Sequence, residues 1–106
     1  MEASDRSFVA RIIRWDGVTL VNICDKELLG TTVKGKGIEM NISYEYFNGE
    51  LVNAQQALDL VRSSNIANLV GERIVNKVLE ANLASERAVK RIGSVCFLMV
   101  FKFTCR

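Results

Sequence analysis

Alternation and helical periodicity divide this chain into distinct segments. Phe8–Trp15 (FVARIIRW) and Val18–Cys24 (VTLVNIC) are rich in β-branched and aromatic residues. The Asp16-Gly17 pair between them accepts positive φ at low cost, so a β-hairpin is predicted. "DKELLG" follows, where Asp25 can cap one short helical turn and Gly30 can end it. From Gly37, Ile38, Met40, Ile42, Tyr44 and Tyr46 alternate with Glu39, Asn41, Ser43 and Glu45. Period two predicts a strand with one buried face, at least as far as Tyr44. Asn48-Gly49 then makes a second turn. The preceding "TTVKGKG" is expected to be an exposed, mobile loop carrying Lys34 and Lys36.

Helical spacing takes over at Asn53. Asn53 with Gln56 forms a capping-box pattern, and Ala54, Ala57, Leu58 and Val61 make an apolar stripe, so a helix is predicted over Asn53–Ser64. A second helix is expected from about Ile66 to Asn82, with Asn65 as cap. Its apolar ridges are Ile66, Val70, Ile74, Val78 and Ala67, Gly71, Val75, Leu79. Asn68, Glu72, Arg73, Asn76, Lys77 and Glu80 form its polar side. Gly71 on a buried ridge predicts close approach of another element, which offsets the roughly 1 kcal/mol of helix propensity lost relative to Ala. Ser85 to Gly93 reads as a third short helix capped by Ser85, and Val95–Phe103 as a strongly apolar strand.

These elements predict an α+β fold: a two-layer sandwich with a mainly antiparallel sheet of about four strands, covered on one face by two to three helices. One domain spans residues 1–106, with residues 1–7 as a flexible tail. Because both alternations of the final strand are apolar, it is either central or an edge buried by another copy.

Composition narrows the class. With 106 residues, 49% hydrophobic and 25% charged, the chain is a globular domain that needs no staples. "MEASDRS" has no apolar core of a signal peptide, and "VCFLMVF" falls far short of the roughly 20 residues of a membrane span. A soluble, cytoplasmic protein without membrane contact is expected.

Candidate chemistry is sparse. Cys24, Cys96 and Cys105 lie far apart and the chain has no histidine. No metal site, no cofactor and no catalytic residue is therefore assigned. Cys24 and Cys96 are expected to be buried and inert, and Cys105 exposed. A hydrolase using Asp25, Glu27 or Glu50 is the minor alternative, without a base–nucleophile arrangement to support it.

Charge adds a positional bias. Residues 1–72 hold 7 Lys/Arg against 10 Asp/Glu, net −3; residues 73–106 hold 7 against 2, net +5. Arg73, Lys77, Arg87, Lys90 and Arg91 are candidate phosphate contacts, with Asn68 and Glu72 as polar contacts. A solvated basic rim without a ligand explains the same bias equally well.

"CDKELLG" (Cys24–Gly30), "ISYEYFNGELV" (Ile42–Val52), "IANLVGERIV" (Ile66–Val75) and "RIGSV" (Arg91–Val95) together resemble an archaeal family, domain of unknown function 424. The resemblance implies a two-layer α+β fold and an archaeal cytoplasm, and brings no established activity. It also implies company with the translation and ribosome-biogenesis apparatus. Relatives continue after "RIGG" or "RIGS" with a Val-Pro-His-like segment, whereas Val95 here is followed by "CFLMVFKF", so no role of that Pro or His transfers.

The expectation is a non-enzymatic accessory protein that binds rRNA, tRNA or a ribosomal particle. The alternative is a protein-interaction module or homodimer using the apolar last strand through Phe97, Met99 and Phe101.

Overall fold

A computed structural model describes residues 6–102. Phe103, Cys105, Arg106 and most of the expected N-terminal tail lie outside them. Ser7 does not behave as tail: its carbonyl accepts from Lys26 N at 3.0 Å and from Arg73 Nη2 at 3.1 Å.

The first hairpin forms where its turn signal lies. Asp16 (φ 52) and Gly17 (φ 80) take the positive φ values, and β1 (Phe8–Trp15) pairs with β2 (Val18–Asp25) from Trp15↔Val18 to Phe8↔Asp25. A 3-10 turn (Lys26–Leu28) leads into β3 (Thr32–Gly35), β4 (Ile38–Asn41), the single-turn helix α1 (Tyr44–Phe47) and β5 (Glu50–Val52). Then come α2 (Ala54–Ser63), β6 (Ile66–Val70), α3 (Glu72–Glu80), a second 3-10 turn (Glu86–Ala88), β7 (Lys90–Ile92) and β8 (Val95–Phe101).

The fold class is α+β, with a sheet larger than four strands. Six strands run in the order β5-β1-β2-β6-β8-β7, all neighbours antiparallel except β2 and β6; β3 and β4 form a separate hairpin. Local signals that stand alone hold. Asn53 and Gln56 make both hydrogen bonds of the capping box, at 2.8 and 2.9 Å, and Ser85 Oγ accepts from Arg87 N.

Several expectations need correction. Ile66–Val70 is not the first turns of a helix but a strand between β2 and β8. A short, mostly apolar run fits either period, and pairing on both sides decides for the strand. Asn65 does not cap a helix; its Oδ1 accepts from Thr19 N at 2.8 Å and fixes the start of β6 against β2. The expected strand from Gly37 ends at Asn41, because Ser43 caps α1 by accepting from Tyr46 N. Tyr44 and Tyr46 are consequently exposed rather than buried. The Lys34 loop is strand β3, and the third helix is one 3-10 turn followed by β7.

One face of the sheet carries α2 and α3. Phe8, Ala10, Val21, Ile23, Ala67, Leu69, Cys96, Leu98 and Val100 pack there against Ala57, Val61, Ile74, Val75 and Val78. Alternation along each strand sends the intervening residues to the opposite face.

Gly71 has a sharper role than ridge packing. It is the N-cap residue of α3 at φ 123, and a Cβ there would lie 2.4 Å from Asp25 Cγ. This close approach lets Asp25, at the end of β2, cap α3 across the fold: Oδ2 accepts from Arg73 N at 3.0 Å and Oδ1 from Ile74 N at 2.9 Å. Asp25 makes no side-chain cap to its own 3-10 turn.

Candidate binding cleft on the open sheet face

The face away from the helices is organised in cross-strand rows set by the register. Val9, Cys24, Val70 and Phe97 form the first row. A layer including Val33, Ile42, Leu28, Leu29 and Phe47 covers it. That layer docks where Gly35 meets Gly93, since a Cβ on Gly35 would lie 2.4 Å from Gly93 N. The second row is Arg11, Asn22, Asn68 and Met99; the third is Ile13, Leu20, Ile66 and Phe101, beyond which Trp15 pairs with Val18. In the third row Ile13 and Phe101 are 37 and 59% exposed while Leu20 and Ile66 are partly covered; Met99 of the second row and Trp15 are 50 and 77% exposed.

Where covered and open rows meet, a cleft of about 750 Å³ is bounded by the sheet, by Met40, Tyr46 and Phe47 of the covering layer, and by Lys90 and Ile92 of β7. This size suits a small molecule or a large side chain. Its lining is apolar except for a few groups, of which Asn22 and Asn68 sit side by side on its floor.

Hydrogen bonding fixes the amide orientations. The Tyr46 carbonyl, left over at the end of α1, can only accept, so Asn22 presents Nδ2 to it at 2.9 Å. Asn22 Oδ1 then faces Asn68 and takes its Nδ2 at 2.8 Å. Asn68 Oδ1 is left buried with no partner among the described residues. An unmet buried acceptor costs about 1–3 kcal/mol.

Of the residues expected to act, the cleft gathers Asn68, Lys90, Phe97 and Met99, with Phe101 exposed on the same face. Asn68 is on a strand rather than the outer side of a helix; Glu72 is exposed on the first turn of α3.

The five cations lie on two segments, α3 and residues 87–91. Arg73 is tied to Glu27 through two hydrogen bonds and to the Ser7 carbonyl, and its guanidinium lies 5.2 Å from the centre of the Phe8 ring. Lys77 is on the same helix. Arg87 is exposed on the second 3-10 turn, and Lys90 and Arg91 on the edge strand β7.

Two of the three carboxylates considered for hydrolysis, Asp25 and Glu27, make structural contacts. Burial pushes the Asp25 carboxyl above its usual 3.8, opposed by the Arg73 and Ile74 amides. The hydrogen bond from Arg73 holds Glu27 below 4.5, and Glu50 lies on the short edge strand β5. Burial, then the charges of Asp25 and Glu27, push the Cys24 thiol up to about 12, which disfavours the nucleophilic thiolate.

Sequence reasoning did not find Asn22, Met40, Tyr46 or Trp15. A usable signal existed for Asn22: "VNIC" and "ANLV" each place one Asn inside an apolar strand run, and the two prove to be paired.

A family model described as protein of unknown function (DUF424) matches residues 13–103. The crystal structure of an uncharacterized conserved protein from Methanopyrus kandleri is similar, with a TM-score of 0.74 at 22% identity, covering 93% of this chain and 96% of that one. No curated protein matches. No helix among the described residues is long and apolar enough to cross a membrane.

Proposed function

The chain belongs to the family described as protein of unknown function, DUF424, and for it we propose a non-enzymatic role: a protein-interaction module that receives an apolar, hydrogen-bond-donating side chain in the cleft. The observation that carries this reading is the Asn22–Asn68 pair on the floor of an otherwise largely apolar cavity, with Asn68 Oδ1 buried there and unmet. Only Lys90 and Tyr46 among the lining side chains ionise, which supports binding over acid–base chemistry. Phe97, Met99 and Phe101 present one side of β8 to the same face, where an apolar partner surface would rest.

The test is a titration followed by NMR on the Trp15→Ser variant, so that the probe supplies the only indole. N-acetyl-tryptophanamide is expected to shift the side-chain amide signals of Asn22 and Asn68. N-acetyl-phenylalaninamide, which lacks a side-chain donor, should bind about tenfold more weakly, the worth of one hydrogen bond. Equal binding of both, or of neither, would overturn the reading.

A second reading makes the partner a ribonucleoprotein of the translation machinery in the cytoplasm. Its support is Arg87, Lys90 and Arg91, exposed within one short segment, with Lys90 also bordering the cleft. RNA co-purification should then weaken steeply with salt, by a log–log slope of about −0.7 per phosphate contact. Salt-insensitive binding, or none at low salt, would remove it.

A further inference from the structure

We infer that the segment docking in the cleft is acidic: a carboxylate carried next to the received side chain pairs with the Lys90 ammonium at the β7 border of the cleft. This rests on the docking reading above and names the chemistry of its partner, a protein segment with Asp or Glu beside the inserted residue.

Register sets the charge against the apolar wall. Lys90 is the cross-strand partner of Phe97, so it ends the first row on the open face, and both side chains line the cleft. Directly opposed side chains of an antiparallel pair are neighbours, with Cβ atoms about 4.5–5.5 Å apart. A carboxylate one residue away from a ring held against Phe97 is therefore within range of the flexible Lys90 stem. Alternation turns Arg91, which pairs with Cys96 of the helix-side core, to the other face. The cleft meets one cation of β7 rather than two.

That charge is uncompensated. No carboxylate lines the cleft; its other polar side chains are the amides of Asn22, Asn41 and Asn68 and the Tyr46 phenol. Lys90 is exposed and makes no ion pair among the described residues. Between residues 81 and 102, Glu86 is the one acidic residue against Arg87, Lys90, Arg91 and Lys102, so the surroundings favour an anion as well.

A lysine on an edge strand commonly discourages strand addition. Its place on the wall of an apolar cleft gives this one a further use. An anion arriving beside Phe97 and Ile92 is partly shielded from water, where an ion pair is screened less than on open surface. A single carboxylate matches this site better than nucleic acid does, because a polynucleotide carries one phosphate per nucleotide and is held by cations in series along its path.

The closing experiment is an NMR titration of the Trp15→Ser variant at low salt with acetyl-Glu-Trp-Glu-amide and acetyl-Gln-Trp-Gln-amide, and with hexauridylate as a third probe. The acidic peptide is expected to bind about threefold more tightly, the worth of one partly exposed ion pair, and to lose that advantage at about 1 M salt. Adding Lys90→Gln should equalise the two peptides, whereas Arg91→Gln, on the opposite face of the same strand, should leave the preference intact. Equal binding of the two peptides overturns the inference and leaves the docking reading standing; binding of neither ends both. A preference that survives Lys90→Gln, or that Arg91→Gln abolishes as well, also overturns it, since net charge alone would then account for the effect. Tighter binding of hexauridylate at the same signals overturns it in favour of the ribonucleoprotein reading.

Discussion

The two faces of the sheet are made by the same strands, yet they differ in closure. On the helix side Val21, Ile23, Leu69 and Leu98 sit beneath α2 and α3 and are almost wholly out of water. On the other side the same strands present a row closed by the β3–β4 layer, a row holding Asn22 and Asn68, and a row left open at Ile13 and Phe101. The first face has one task, to remove apolar area from solvent. The second retains exposed apolar area and an unmet acceptor, both of which cost free energy in the isolated chain.

The contrast can be broken at its anchor. Gly71→Leu forces a side chain into positive φ and onto Asp25. Adding strain to the loss of the cap gives an expected destabilisation of about 3–5 kcal/mol, read by urea unfolding. A loss below 1 kcal/mol would mean that the contact between Asp25 and α3 is dispensable.

Truncations on the two faces should separate widely. Ile74→Ala, on the closed side, should cost about 2–5 kcal/mol of stability. Phe101→Ala, on the open side, should stay within about 1 kcal/mol by the same measurement because its ring is already largely in water. Equal losses would show that the open face is covered in the isolated chain.

The Asp25 cap has a signature in pH. Its folded carboxyl titrates above 3.8, so the folded state holds the proton more tightly than the unfolded chain. Stability from this group is therefore greatest below 3.8, falls as pH rises through the window up to the raised value, and is flat above it. Glu27 acts in the opposite sense, adding stability as pH rises toward 4.5. Comparing wild type with Asp25→Asn across pH 3–7 cancels most of the Glu27 contribution. The difference should shrink with rising pH through the Asp25 window, and a pH-independent difference would contradict the assignment.

The smallest change in stability is expected at the cleft floor. Asn68→Leu removes one unmet acceptor and strands another, Asn22 Oδ1, so unfolding free energy should move by no more than about 1 kcal/mol. Indole binding in the cleft should nevertheless fall by at least tenfold. A large stability loss with unchanged indole binding would make the pair purely structural.

Features set by neighbours in sequence were legible without the fold. Asp16-Gly17, the Asn53–Gln56 box, the Ser85 cap and the apolar alternation of β8 all act over a few residues, so pattern and chemistry coincide. The last strand was legible as a surface too, since Phe97, Met99 and Phe101 share one side. Ile66–Val70 was not, because apolar residues at nearly every position satisfy a helical ridge as well as a strand buried on one side. Close approach at Gly71 was readable from a glycine in an apolar ridge, but its partner, Asp25, is 46 residues away.

By itself, then, the sequence determined the local turns and caps, the α+β class and the presence of an apolar strand at the end. Tertiary structure alone decided that Asn22 and Asn68 would meet, that Arg73 would be bound to Glu27, and that one sheet face would be only partly covered. The reason is the range of the interactions: turns and caps are closed by contacts of two to four residues, whereas cross-strand pairing of Asn22 with Asn68 depends on a register that only the assembled sheet supplies.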